Sequence, residues 1–426
     1  MKAAGTDTMK NEIKYEKSEL ELMTTYQLRE ICRREKIMNG VIHPLDKEEL
    51  IQSIMRYMGK RQDFFICDKK KEGEERVEEF LKKTRIVIKP CKELYCQSQI
   101  LAYEGLSIEY YDGYTIPYKK ELSGTNAFLM GSDMTLCAIL NLKEHGGRQE
   151  KLYLTKAAEL ETRETQRKDY RIFCMGRQTS ESLYHLYYGE HTILPEHIEV
   201  YSIPLIDFVV RKPVTLMLPM AIDFGSVNTT AGVYLDSAYF ENVGEQAAVK
   251  NCRENEINYT AFEDGNGESM LLPSVIGVLA VEEEDYKLLF GYDAIRLANA
   301  SYVDEGFCVF YDVKRWIGEY DKEEEIVDRQ GRRRLVKRAE ILRRFFLYII
   351  RKTENRFKCR ISQVHISSPV KQKHYFRRMF REILPEYMTD QETMLDEGMA
   401  VLYNTMREIC FSRGHIQKQG SHLSAG

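Results

Sequence analysis

The sequence predicts a multidomain α+β protein: a small N-terminal helical module, a β-rich middle domain and a C-terminal α/β part. Three observations lead there. The chain has 426 residues, more than one hydrophobic core usually serves. Its composition, 43% apolar and 30% charged, is that of folded domains. Its apolar pattern also changes twice, from helical spacing to short strand-like runs, then to strands separated by helical segments.

Residues 20–60 predict the helical module. Thr24 with Gln27, and Asp46 with Glu49, fit capping boxes. Leu28, Ile31 and Cys32 recur at helical spacing, as do Leu50, Ile51, Ile54, Met55 and Met58. Gly40 and Pro44 punctuate the turn between the two helices. Residues 61–84 contain a mixed-charge run, DKKKEGEERVEEFLKKT, expected as a solvated helix or linker.

From residue 85 to 218 short runs rich in Val, Ile, Tyr, Phe and Leu predict a β-rich accessory domain, of sandwich type. Among them are IVIKP, LSIEYYDGYTIPY, TLCAILNL, KLYLT, YRIFCM, IEVYSI and VTLML. Asp112-Gly113 and Gly146-Gly147 are expected as hairpin turns. No catalytic constellation stands out here, and Tyr110, Tyr111 and Tyr114 are expected to pack or to line an interaction face.

With 62 basic and 66 acidic residues the net charge is −4, so nucleic-acid binding would need a local patch. The N-terminus has no apolar core of signal-peptide length. The most apolar stretch, Ile198 to Phe224, is broken by Asp207, Arg211, Lys212 and three prolines, so no membrane span is expected. Ten cysteines lie scattered without a C-x-x-C pair and are read as reduced thiols of a cytoplasmic protein.

The specific chemistry begins near residue 219. The runs Leu216–Ile222 and Thr229–Leu235 predict a hairpin whose turn holds Gly225, Ser226, Val227 and Asn228. Several backbone N–H groups converging at such a turn hold a phosphate well, and glycine lets backbone approach closely. Asp223, at the strand end, could hold water on a magnesium ion. An ordinary hairpin with a buried start explains the segment equally well. Downstream come LLPSVIGVL (271–279), LLFGYDAIRLANA (288–300) and VFYDVKRWIGEY (309–320). A long amphipathic helix, RAEILRRFFLYIIRKTENRF, precedes QVHISSPVKQKHYFRRMFREI and MLDEGMAVLYNT.

In this order the segments resemble the nucleotide-binding domain of the seventy-kilodalton heat-shock chaperones, within the actin-like ATPase superfamily of ribonuclease H-like α/β lobes. The resemblance covers about residues 219–405 and leaves 406–426 as an unstructured tail. It implies an ATP and Mg²⁺ site. Asp223, Gly225, Ser226 and Val227 would form the first phosphate loop. Lys314 would reach the phosphates and orient the attacking water, and Arg315 would lie near the adenine. Glu397 and Asp223 would hold magnesium through water. Pro369 and Arg377 would relay nucleotide state to a client domain. Two positions depart from the family: Val227 replaces a hydroxyl residue, and Gly398 replaces the proline after the glutamate. Lys314 as a surface lysine, and Glu397 as a helix-start acid, remain open readings.

The resemblance also implies a second phosphate loop, of Asp-x-Gly-Gly-Gly-Thr type, beyond Glu397. Residues 404–426 contain none. The expectation is therefore the N-terminal part of a chaperone-like ATP-binding protein, a fragment or one half of a split protein. Weak nucleotide affinity and no meaningful hydrolysis are expected without a C-terminal lobe or a partner that completes the cleft. Two alternatives stay open. One is a non-enzymatic adaptor with a degenerate actin-like lobe. The other concerns residues 20–60, which are similar to SAP-like modules. That similarity implies either a docking module or nucleic-acid contact through Arg29, Arg33, Arg34 and Lys36.

Overall fold

The computed structural model describes residues 15, 17–34, 46–57, 72–96, 99–145, 150–158, 160–189, 192–243, 251–264, 267–283, 285–299 and 307–387. They fall into two units, one built on residues up to Pro213 and the other from Val214 onward.

The first unit begins with helices α1 (Lys17–Leu22), α2 (Thr25–Arg34) and α3 (Lys47–Tyr57). Both expected capping boxes are present. Thr24 N–H donates to Gln27 Oε1 at 2.8 Å and Gln27 N–H to Thr24 Oγ1 at 3.3 Å. Asp46 and Glu49 exchange the same two bonds at 2.9 Å each. Leu20, Leu28, Ile31, Cys32, Leu50, Ile51, Ile54 and Met55 form the module's core. Part of the expected linker is also helical. In α4 (Gly73–Lys83) Val77 and Leu81 are buried, so this charged helix is not solvated all round.

The rest of the first unit is a sheet with helices on one side. Its elements are β1 (Arg85–Ile88), β2 (Ile100–Tyr103), β3 (Thr115–Pro117), β4 (Asn126–Gly131), β5 (Leu136–Lys143), β6 (Lys151–Thr155), β7 (Tyr170–Cys174), α5 (Arg177–Tyr188), β8 (His197–Leu205) and β9 (Phe208–Arg211). Seven strands run in the order β1-β8-β7-β4-β5-β6-β3, antiparallel except for the β1–β8 pair. Because side chains alternate along a strand, β4 sends Phe128 and Met130 to one face and Ala127 and Leu129 to the other. On the first face they meet Val77 and Leu81 of α4 and Leu183 and Tyr187 of α5. On the second they meet Ile100 and Ala102 of β2 and Phe208 of β9, a two-stranded parallel pair. The domain is rich in strands as expected; helices cover one face of its seven-stranded sheet and the two-stranded β2–β9 pair packs on the other. Gly113 ends a 3₁₀ turn, Tyr110–Asp112, with φ of 78°, so Asp112-Gly113 is not a hairpin turn. Gly146-Gly147 lies outside the described residues.

The second unit holds β10 (Val214–Leu216), β11 (Met220–Phe224), β12 (Asn228–Leu235), α6 (Ser237–Val243), β13 (Glu256–Tyr259), β14 (Phe262–Glu263), β15 (Glu268–Ser269), β16 (Leu272–Pro273), β17 (Ile276–Val281), β18 (Tyr286–Phe290), α7 (Tyr292–Asn299), β19 (Val309–Phe310), β20 (Glu323–Val327), β21 (Arg333–Lys337), α8 (Arg338–Phe357), β22 (Cys359–Ile361), β23 (Val364–Ile366) and α9 (Lys373–Ile383). Its main sheet runs β13-β12-β11-β23: three antiparallel strands, then a fourth parallel to β11. A parallel neighbour needs a crossover connection, and α8 lies within it. Phe346 of α8 packs edge-on against Phe224 of β11 at 5.0 Å and against Phe380 of α9 at 4.8 Å between ring centroids. A second layer of strands, β18-β17-β19, lies next in sequence, followed by the hairpin β20–β21. Asp328, fully buried at the end of β20, accepts bonds from Arg332 N–H at 2.9 Å and Val281 N–H at 2.9 Å, tying that hairpin to β17.

The described cysteines are all free. Burial pushes the Cys137 thiol up to about 12 and raises those of Cys174 and Cys359 as well, so these sulfurs stay protonated. Among the described residues no helix is long and apolar enough to cross a membrane.

Candidate functional site

Strand β11 alternates as a half-buried strand should: Ile222 and Phe224 are buried while Ala221 and Asp223 are exposed. It pairs with β12 so that Phe224 faces Thr229, which leaves Gly225–Asn228 as the turn. The hairpin expected from the sequence is therefore present. Gly225 N–H donates to Asn228 O at 3.1 Å. A Cβ on residue 225 would lie 2.3 Å from that same oxygen, so only glycine fits without moving backbone.

The turn is fastened from a distance. Ser274, which follows β16, donates its hydroxyl to Gly225 O at 2.8 Å. Its own N–H donates to Val227 O at 2.8 Å. The buried Thr229 hydroxyl lies 2.9 Å from Ser274 Oγ. Since the Ser274 proton is committed to Gly225, Thr229 is the donor of that pair. Ser226 and Val227 are exposed at the tip, Val227 at 74%. Among the described residues, the N–H groups of Ser226 and Val227 have no acceptor.

Beside the turn, the ends of two parallel strands meet. Asp223 accepts a hydrogen bond from Ser367 Oγ at 2.7 Å, and Ser367 N–H donates to Ile222 O at 3.1 Å. The next residue, Ser368, is fully buried, and its hydroxyl has no partner among the described residues. Pro369 then starts the 3₁₀ turn Val370–Gln372, which leads into α9. Arg377 is half-buried on α9.

Lys314 and Arg315 lie on a 3₁₀ segment, Val313–Glu319. Lys314 Nζ is 5.8 Å from the centroid of the Phe376 ring, in the first turn of α9. Asp223 thus contacts the stretch joining β23 to α9, through Ser367, whereas Lys314 contacts α9 itself, through Phe376. Arg315 bonds the Asp312 carboxylate, and its side chain is 81% exposed. Glu397 and Lys36 lie outside the described residues. Among the described residues no group of three His, Cys, Asp or Glu side chains could hold a metal ion. The donor set around the turn suits a polyphosphate, held by main-chain N–H groups, and one carboxylate suits a hydrated Mg²⁺ rather than a bare one.

The arginines singled out in the N-terminal module are partly committed. Arg33 pairs with Glu30 at 3.0 Å, Arg34 donates to the Tyr15 hydroxyl, and Arg29 Nε is buried without an acceptor among the described residues.

Sequence reasoning passed over three hydroxyl residues that shape the site: Thr229, Ser274 and Ser367. The local signal for two of them is the company of proline, in Pro273-Ser274 and Ser367-Ser368-Pro369; Thr229 has none. No family model matches the chain, and no curated protein matches it.

Proposed function

We propose that this chain carries one wall of a nucleoside polyphosphate site, as the N-terminal part of an ATP-binding protein of the actin-like, heat-shock chaperone type. The observation that carries the reading is the Gly225–Asn228 turn, whose two tip N–H groups have no acceptor among the described residues and whose first residue admits no side chain. The strand order β13-β12-β11-β23, with its antiparallel triplet and parallel fourth strand, supports it as the arrangement of a ribonuclease H-like lobe. In this reading the turn N–H groups hold phosphate oxygens and Asp223, oriented by Ser367, holds a water of Mg²⁺. Magnesium supplies charge neutralisation on the phosphates when bound. Lys314 is the cation assigned to the terminal phosphate, and Glu397 the second acid. A further lobe or a partner protein supplies the opposite wall, and a client domain responds through Pro369 and Arg377.

Calorimetric titration of the full chain with ATP, with and without Mg²⁺, tests this. Weak, Mg²⁺-dependent binding is expected. It should vanish in Gly225→Val, while Asp223→Asn should lose the Mg²⁺ dependence and keep residual binding. Equal heats for the parent chain and Gly225→Val would remove the reading.

The adaptor reading has one observation of its own: Val227 presents an apolar side chain to water at the tip of the turn. A protein partner captured by the parent chain but not by Val227→Ser, in the absence of any nucleotide effect, would favour it.

A further inference from the structure

Helix α9 has two contrasting faces. Phe376, Met379, Phe380 and Ile383 are buried. Lys371, just before the helix, and His374, Tyr375, Arg378 and Arg381 are exposed, at spacings that put them along one side. Among the described residues, Lys371, Arg378 and Arg381 have no ion-pair partner. Of the acids nearby, Glu386 pairs with Arg343 at 2.6 Å, while Glu382 accepts from the neutral Tyr320 hydroxyl at 2.8 Å and keeps its charge, so three cations face one acid. In the middle of this basic stripe the His374 and Tyr375 rings lie 3.8 Å apart, and Tyr375 is 46% exposed.

We propose that this face of α9 binds single-stranded nucleic acid. The chain as a whole is acidic, so a polyanion is attracted only where cations locally outnumber acids, and this stripe meets that condition. The aromatic pair decides among polyanions. An acidic peptide would use the charges and leave the rings idle. An anionic membrane would ask for an apolar face to insert, and that face of α9 is already buried in the unit. A single strand uses both parts, its phosphates on Lys371, Arg378 and Arg381 and a base against the exposed Tyr375 ring. Stacking of this kind tolerates any base and either sugar, so DNA and RNA strands share the chemistry.

Fluorescence anisotropy of labelled dT and U homopolymers with the full chain, over a salt series, tests it. Affinity is expected to fall linearly with salt on logarithmic axes. Arg378→Gln with Arg381→Gln should lower that slope by about 1.4, the share of two phosphates on a single strand. Tyr375→Ala should weaken binding about tenfold and leave the slope unchanged. Lys371→Gln, outside the helix, should lower the slope by about 0.7 and serves if the double variant loses its native circular dichroism. Binding of one polymer alone supports the proposal and identifies the sugar. The proposal is overturned by an unchanged slope in these variants, by no binding to either polymer at low salt, or by equal competition from polyglutamate. It is also overturned if vesicles of anionic lipid bind in preference to either polymer, or if the slope loss appears only in Arg29→Gln with Arg33→Gln and Arg34→Gln.

Discussion

Ser274 does more for the turn than any residue inside it. Its hydroxyl reaches Gly225 O and receives the Thr229 hydroxyl, and the Thr229–Ser274 pair is buried. Ser274→Ala would strand the Thr229 hydroxyl without its acceptor, at a cost of about 1–3 kcal/mol. Thr229→Val alone should cost a similar amount, and the two together less than their sum, which a double-mutant cycle by thermal unfolding measures. A second residue, His365 on β23, is half-buried, and that burial holds its imidazole below its ordinary value of 6.5. The unfolded chain therefore takes up this proton first as pH falls. The contribution is full above 6.5 and is lost as pH drops through the lower folded value. Melting temperatures should decline on acidification from about pH 7 to 5, and less steeply in His365→Gln. The turn at Gly225 was legible in the sequence, since a glycine between two strand-like runs marks a hairpin. Ser274 and Ser367 were not legible, because each acts on a residue that only the sheet brings near.

Whole elements were legible where a periodic pattern ran long. The apolar positions of RAEILRRFFLYIIRKTENRF specify a helix, and α8 spans that same segment. In contrast α5, RQTSESLYHLYY, hides among aromatic runs whose neighbours are strands, and only its packing on the sheet separates it from them. Strand β4 is buried at every position, so it shows no alternation for sequence reasoning to find. Element α8 also carries a prediction. Phe346 touches Phe224, Phe345 and Phe380, and so joins β11, its own helix and α9. Phe346→Ala should cost about 3–5 kcal/mol in chemical denaturation and, on the proposed function, should lower nucleotide affinity with it, because β11 carries the turn.

For the whole molecule, the dividing line was legible only roughly. The run VTLML reads as the last strand of the first unit, yet Val214–Leu216 pairs with β22 of the second. No local pattern reports a partner so far along the chain. Two units with separate cores are expected to unfold separately in urea. Phe128→Ala, in the first unit, should shift one transition, and Phe346→Ala the other; a single transition moved by both would show that the cores are coupled. One feature of the second unit bears on how the protein is made. Ser274 stands 49 residues after the glycine it fastens. A nascent chain that has emerged only as far as β13 holds both strands of the hairpin and none of its lock. The fastened turn is therefore a late product of translation, and grafting the hairpin alone into another protein would transplant its letters without its shape.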